Sequence, residues 1–121
     1  MQKINRLESF RCAFAGIWYT VRTQRNAQIH LIVTVIVSAI GLMVKLTFLE
    51  WAIIALTVGL VMVAETLNTA AEAAMDYASP EFHPEVKIVK DVAAGAVLIA
   101  AIISVIVGLL ILGPPIWQYF T

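Results

Sequence analysis

Glu65, Asn68, Glu72 and Asp76 stand in Ala64-Glu65-Thr66-Leu67-Asn68-Thr69-Ala70-Ala71-Glu72-Ala73-Ala74-Met75-Asp76, which continues the apolar run Trp51 to Val63 with no intervening proline. At about 100° per residue, these four positions fall within roughly 80° of one another on a helix. They form one polar stripe on an otherwise apolar rod. An ionisable group inside a membrane helix costs about 2.5–3.5 kcal/mol on insertion scales, so its presence points to function. A rise of about 1.5 Å per residue separates Glu65 from Glu72 by roughly 10 Å along the axis. That is too far for both to hold one metal ion directly, and two different tasks follow.

Glu65 lies about two turns deeper than Glu72, where a carboxylate could act as general base toward a lipid hydroxyl near the headgroup boundary. It could equally be an interhelical hydrogen-bonding group or a proton relay. Asn68 could orient Glu65, bind substrate, or serve as polar glue between helices. Glu72 and Asp76, spaced i, i+4 near a helix end, could share a hard cation such as Mg²⁺. Alternatively they are a solvated acidic helix end. The partial negative charge of that end then demands something positive nearby, either Mg²⁺ or a basic side chain. Lys90-Asp91 precedes the next apolar run. There a lysine could neutralise phosphate, and an aspartate could accept from ribose hydroxyls or assist a metal; an interface pair at a helix start is the alternative. His83, between Phe82 and Pro84, reads on its own as a loop-packing residue. No Gly-rich phosphate loop is present, so ATP binding would use neither common nucleotide fold.

The elements that carry these groups follow from composition and pattern. Of 121 residues, 61% are hydrophobic and 13% charged, a balance expected of an all-α membrane protein forming one domain, 1–121. The net charge is zero, which implies no bulk attraction to nucleic acid. Cys12 is the only cysteine, excluding an intrachain disulfide and a multi-cysteine metal site. A cleavable signal peptide is not expected, because the first apolar run starts only near Ile29.

Leu7, Phe10, Phe14, Ile17 and Val21 recur at helical spacing, with Arg6, Arg11, Arg22 and Arg25 elsewhere around the axis. This predicts an amphipathic helix over about 3–25, lying on the membrane surface or capping a bundle. Three spans follow, at about 29–49, 51–77 and 91–112. Phe48, Glu50 and Trp51 read as a very short turn between the first two, with Lys45 snorkelling to the interface. Ser79-Pro80-Glu81-Phe82-His83-Pro84 reads as a polar connection, although Pro84 could open a new helix at its first turn. Ala96, Ala100, Ser104 and Gly108 recur every four residues as a close-packing face, and Gly113-Pro114-Pro115 is expected to end the third span. Lys3 and four arginines precede the first span and Lys87 and Lys90 lie in the second connection. The positive-inside rule then places the amino terminus, the second connection and the Asp76 end of the stripe in the cytoplasm.

The run Ala64 to Glu72, together with Lys90-Asp91-Val92-Ala93-Ala94-Gly95-Ala96-Val97, resembles the signature of the prokaryotic diacylglycerol kinase family, which includes small undecaprenol kinases. The resemblance covers about Phe10 to Leu112 and implies a homotrimeric bacterial cytoplasmic-membrane enzyme. Its sites would lie between subunits and take ATP, Mg²⁺ and a membrane lipid alcohol. It implies that Glu65 is the catalytic base and Glu72 a metal ligand. It also implies that Asn68 and Asp76 are polar active-site positions, that Glu81, Phe82 and His83 contact nucleotide, and that Lys90 and Asp91 contact phosphate and nucleotide. Gln24 departs from the pattern: many members carry a metal-binding glutamate there. Asn5 and Cys12 likewise stand where some members have an arginine and a tyrosine. The His83-Pro84 and Asp91 to Ala96 stretches resemble the undecaprenol branch. The competing class is a non-enzymatic small transporter or proton pathway built on Glu65, against which the bare outer half of the helices argues. A purely structural membrane subunit would leave the stripe unexplained.

Overall fold

Local capping sets the helix boundaries. In the computed structural model, which describes Lys3 and residues 5–121, the chain forms four helices: α1 (Arg6–Thr23), α2 (Arg25–Met43), α3 (Phe48–Ala78) and α4 (Pro84–Phe120). The chain is an all-helical protein with an N-terminal helix followed by three helices long and apolar enough to cross a membrane. The part of the expected surface helix at residue 4 lies outside the described residues.

α1 starts where Asn5 Oδ1 accepts from the Glu8 amide at 2.8 Å, with Glu8 in the first turn and Arg22 in the last, as the helix dipole favours. Its apolar side chains Leu7, Phe10 and Phe14 are exposed, so that face does not pack on its own chain. The α1–α2 corner is a single residue. Gln24 adopts an extended backbone (φ −104°, ψ 113°), and Gln28 Nε2 donates to the Val21 and Arg22 carbonyls at 3.0 and 3.1 Å. That side chain supplies acceptors at the end of α1 with the donor they lack. α2 therefore starts at Arg25, earlier than expected.

The turn after α2 also departs from expectation. Phe48, Glu50 and Trp51 are not turn residues but the first turn of α3. Thr47 Oγ1 accepts from the Glu50 amide and Glu50 Oε1 accepts from the Thr47 amide, at 3.2 and 3.1 Å, a reciprocal capping box. The turn lies at 44–47, where Lys45 carries a positive φ of 58°. Gly41 is the close approach here: a Cβ on it would stand 2.7 Å from the Trp51 ring and 2.9 Å from Leu46 Cδ1.

α4 differs from the expected third span at both ends. It opens at Pro84, whose missing amide costs nothing at a first helical position, and His83 Nδ1 accepts from the Glu85 amide at 3.2 Å. It does not stop at Gly113-Pro114-Pro115 but runs on to Phe120. Adjacent prolines remove only the amides that would reach the Leu110 and Ile111 carbonyls, a loss that membrane helices tolerate. α3 and α4 share the most extensive contact, through a core of Val61, Ala64, Val97 and Ala100. Of the small-residue face, Ala100 is buried in that seam while Ala96 is exposed. Small side chains on both helices allow the close backbone approach.

Gly41→Val should be the costly substitution at the α2–α3 turn. Overpacking against Trp51 and Leu46 costs about 1–3 kcal/mol, read as a lower unfolding temperature in detergent. An unchanged transition would mean that the turn yields.

Candidate active site

The stripe is continuous on α3 and graded in exposure. Glu65 and Asn68 are buried, at 1% and 8% exposure, Glu72 is half-buried and Asp76 is exposed. The grading follows from which neighbours each turn meets: α2 and α4 cover the middle of α3, and its last turns run free toward the connection.

Glu65 faces α2. Its Oε1 stands 3.5 Å from His30 Nε2 and has no hydrogen-bond donor among the described residues; Asn68 Oδ1, one turn on, is likewise buried and without a partner among them. Unpaired buried acceptors are costly, about 1–3 kcal/mol each, and so are retained for a reason other than folding. His30 was not singled out from the sequence. The available signal was an ionisable side chain near the start of the first span, on the end of α2 that meets the later turns of α3.

Asp76 and Lys90 meet across the α3–α4 connection, Lys90 Nζ donating to Asp76 Oδ1 at 2.6 Å. The positive charge that the acidic helix end required is therefore a lysine. Asp91 does not join this pair; it accepts from Lys87, one turn earlier on α4. Glu81 and Phe82 are exposed in the connection, and His83 is the N-cap of α4. No hydrogen bond or ion pair among the described residues ties these three to the stripe. Gln24 sits half-buried at the α1–α2 corner, its side chain making no capping bond.

Mg²⁺ is a hard ion that proteins hold by one or two carboxylates together with substrate phosphates. Among the described residues no three His, Cys, Asp or Glu side chains gather, so one chain offers no all-protein cage. Glu72 has no ion-pair partner among the described residues, and a half-buried free carboxylate fits the one-carboxylate type of site.

The half of the bundle nearer the α2–α3 turn is different in kind. A cavity there is lined by residues including Val37, Ile54, Val58 and Val107, with Thr34, Thr57 and Ser104 as its hydroxyls. Each hydroxyl donates to a carbonyl of its own helix, at 2.7 or 2.8 Å. His30 lines the same cavity.

The family model for prokaryotic diacylglycerol kinase matches residues 11–112. The chain belongs to the prokaryotic diacylglycerol kinase family. It is 45% identical over 113 residues to an undecaprenol kinase of Bacillus subtilis, covering 93% of this chain and 92% of that protein. It is 47% identical over 113 residues to a diacylglycerol kinase of Synechocystis, covering 93% of this chain but 65% of that longer protein. This diacylglycerol kinase family member is thus a multi-pass membrane enzyme, a lipid kinase using ATP and a lipid, not a transporter or a structural subunit.

In this kinase, Asn68→Leu should separate stability from function. Replacing an unpaired buried amide by an apolar group of similar size is neutral or stabilising. Unfolding in detergent is expected at or above the wild-type temperature, while turnover falls. A destabilised variant would make Asn68 a structural residue.

Proposed function

We propose that this kinase transfers the γ-phosphoryl group of ATP to the hydroxyl of a membrane lipid alcohol at the cytoplasmic face, with undecaprenol preferred over diacylglycerol. The observation that carries the reading is the buried Glu65 carboxylate, whose Oε1 lacks a hydrogen-bond donor among the described residues. An acceptor kept dry and unpaired inside a span is suited to receive a proton from a lipid hydroxyl. The near end-to-end match to an undecaprenol kinase supports the choice of lipid.

In this reading the lipid hydroxyl donates its proton to Glu65 as its oxygen attacks the γ-phosphorus. The new P–O bond forms as the bond to the bridging oxygen breaks, and ADP leaves with that electron pair. Asn68 orients the hydroxyl beside Glu65. Glu72, with Gln24 as a neutral second oxygen donor, holds Mg²⁺, which when bound supplies charge neutralisation on the phosphates. Lys90, kept at the end of the stripe by Asp76, adds positive charge, and Asp91, Glu81, Phe82 and His83 contact the nucleotide. Catalysis is then positioning and charge stabilisation, as phosphoryl transfer requires. The basic residues of α1 and of the connection keep that end of the bundle in the cytoplasm, where ATP is. A homotrimer completes the site, the apolar outer faces of the spans meeting other copies as well as lipid.

Labelled-phosphate transfer from ATP in mixed micelles, offered each lipid in turn, is the test. Transfer to undecaprenol should exceed transfer to diacylglycerol, and transfer to neither overturns the reading. Glu65→Gln should lower turnover by about 10²–10⁴-fold with ATP binding retained, since general-base contributions have that size. Near-normal turnover removes Glu65 from the base role.

Gln24→Glu tests the metal ligand. A charged oxygen in place of a neutral one strengthens a hard-cation site. The Mg²⁺ concentration for half-maximal rate should fall, with the lipid requirement unchanged; identical titration curves would place Gln24 away from the metal.

A further inference from the structure

The reaction proposed above leaves a proton on Glu65 at every turnover, and that proton must leave before the next lipid can be activated. Glu65 is 1% exposed, so bulk water does not collect it directly. Its own helix offers no carrier. Asn68 is an amide, Thr69 Oγ1 is committed to the Glu65 carbonyl at 2.8 Å, and Glu72 lies roughly 10 Å away along the axis, beyond direct proton transfer. From α1, the arginines are exposed and the buried Thr20 donates to the Gly16 carbonyl. From α4, Lys87 and Asp91 pair with each other, Lys90 pairs with Asp76, and the buried side chains Val97 and Ala100 are apolar.

Among the described residues, only α2 brings a titratable side chain next to the carboxyl. His30 Nε2 lies 3.5 Å from Glu65 Oε1, and the His30 side chain is 23% exposed where that of Glu65 is 1%. The imidazole thus connects a fully covered carboxyl with the edge of the bundle. On its other side His30 lines a groove between α2 and α4 with Asn26, Ile29, Ala94, Val97 and Leu98. Asn26 is exposed and lies one turn nearer the start of α2.

We propose that His30 takes the proton from Glu65 after each transfer and releases it along this groove toward the start of α2. The inference rests on the reading of Glu65 as the base. With its proton on Nδ1, the neutral ring offers the Nε2 lone pair to the protonated Glu65. The Oε1–H bond breaks and an Nε2–H bond forms, so Glu65 is again a carboxylate and His30 an imidazolium. The Nδ1 proton then passes to water in the groove, and a ring flip that turns the protonated Nε2 to the groove, where it exchanges with water, restores the starting tautomer. The 3.5 Å separation closes to hydrogen-bonding distance when the lipid is in place, as contacts in unliganded sites commonly do. His30 acts through Glu65 and touches neither substrate.

His30→Gln is the discriminating variant, because a glutamine amide can still hydrogen-bond the carboxyl but cannot take up its proton. In the micelle assay kcat should fall on the order of 10²-fold, the size of a proton-transfer contribution, with KM for ATP and for the lipid alcohol unchanged. Added imidazole should restore the rate in a concentration-dependent manner, and the solvent deuterium isotope effect on kcat should exceed that of the wild type. Wild-type kcat and isotope effect in His30→Gln would overturn the proposal. So would a loss that imidazole does not repair. His30→Asn is measured alongside, and imidazole rescue reads the same point in a variant that folds less stably. Glu65→Gln in the same assay separates the two levels: activity there defeats the base reading itself. An inactive Glu65→Gln beside a fully active His30→Gln defeats only the proton exit.

Discussion

Carrying a carboxyl group in the middle of an apolar span is the constraint on which the rest of the molecule depends. Hydrocarbon offers nothing to hydrogen-bond, so Glu65 has to be covered by protein, and the cover has to be polar where it touches the carboxyl. α2 brings His30 to 3.5 Å without closing a hydrogen bond, and the α3–α4 seam supplies close cover with Ala64, Val97 and Ala100. The antiparallel run of α2 and α3 follows from the same requirement. Only with a tight turn at 44–47 does the start of α2 come level with the later turns of α3.

The stripe and the spans were legible from the sequence because both are periodic. Glu65, Asn68, Glu72 and Asp76 share one face at helical spacing, and no tertiary information is needed to align them. The helix ends were less so, because ends depend on side-chain geometry rather than on period. Thr47 and Glu50 form a capping box that hydropathy conceals, since both lie among aromatic and aliphatic neighbours. Pro114 and Pro115 read as a stop, yet α4 passes through them. His30 was missed for a different reason. It belongs to another helix, and its closeness to Glu65 is a property of packing between segments far apart in the chain.

The acidic end of α3 shows how one electrostatic demand can be met locally. A helix C-terminus carrying Glu72 and Asp76 stacks negative side chains on partial negative charge. Lys90 answers Asp76 at 2.6 Å, although Lys90 is about one-third exposed and Asp76 more so. Exposed pairs of this kind contribute about 0–1 kcal/mol, so this one is a weak source of stability. Its consequence is geometric: it brings the start of the third span to the end of the second. Glu72 is left as the half-buried carboxylate without an ion-pair partner among the described residues.

The two ends of the bundle are built on opposite principles. Toward the α2–α3 turn, Thr34, Thr57 and Ser104 turn their hydroxyls onto their own helices, and Gly41 admits the Trp51 ring at a distance that leaves no room for a side chain. Polar groups there are satisfied within one helix, and packing is close at the turn. Toward the connection, polar groups reach across helices, His30 to Glu65 and Lys90 to Asp76, or stay unpaired, as Asn68 does. Unpaired and long contacts are poor ways to hold a fold together but good ways to leave acceptors available to a substrate. A close-packed turn at one end lets the other end keep such contacts, because α2 and α3 remain in register without help from the polar groups. One end of the bundle is therefore held by packing, and the other keeps its polar groups free of the work of holding the fold.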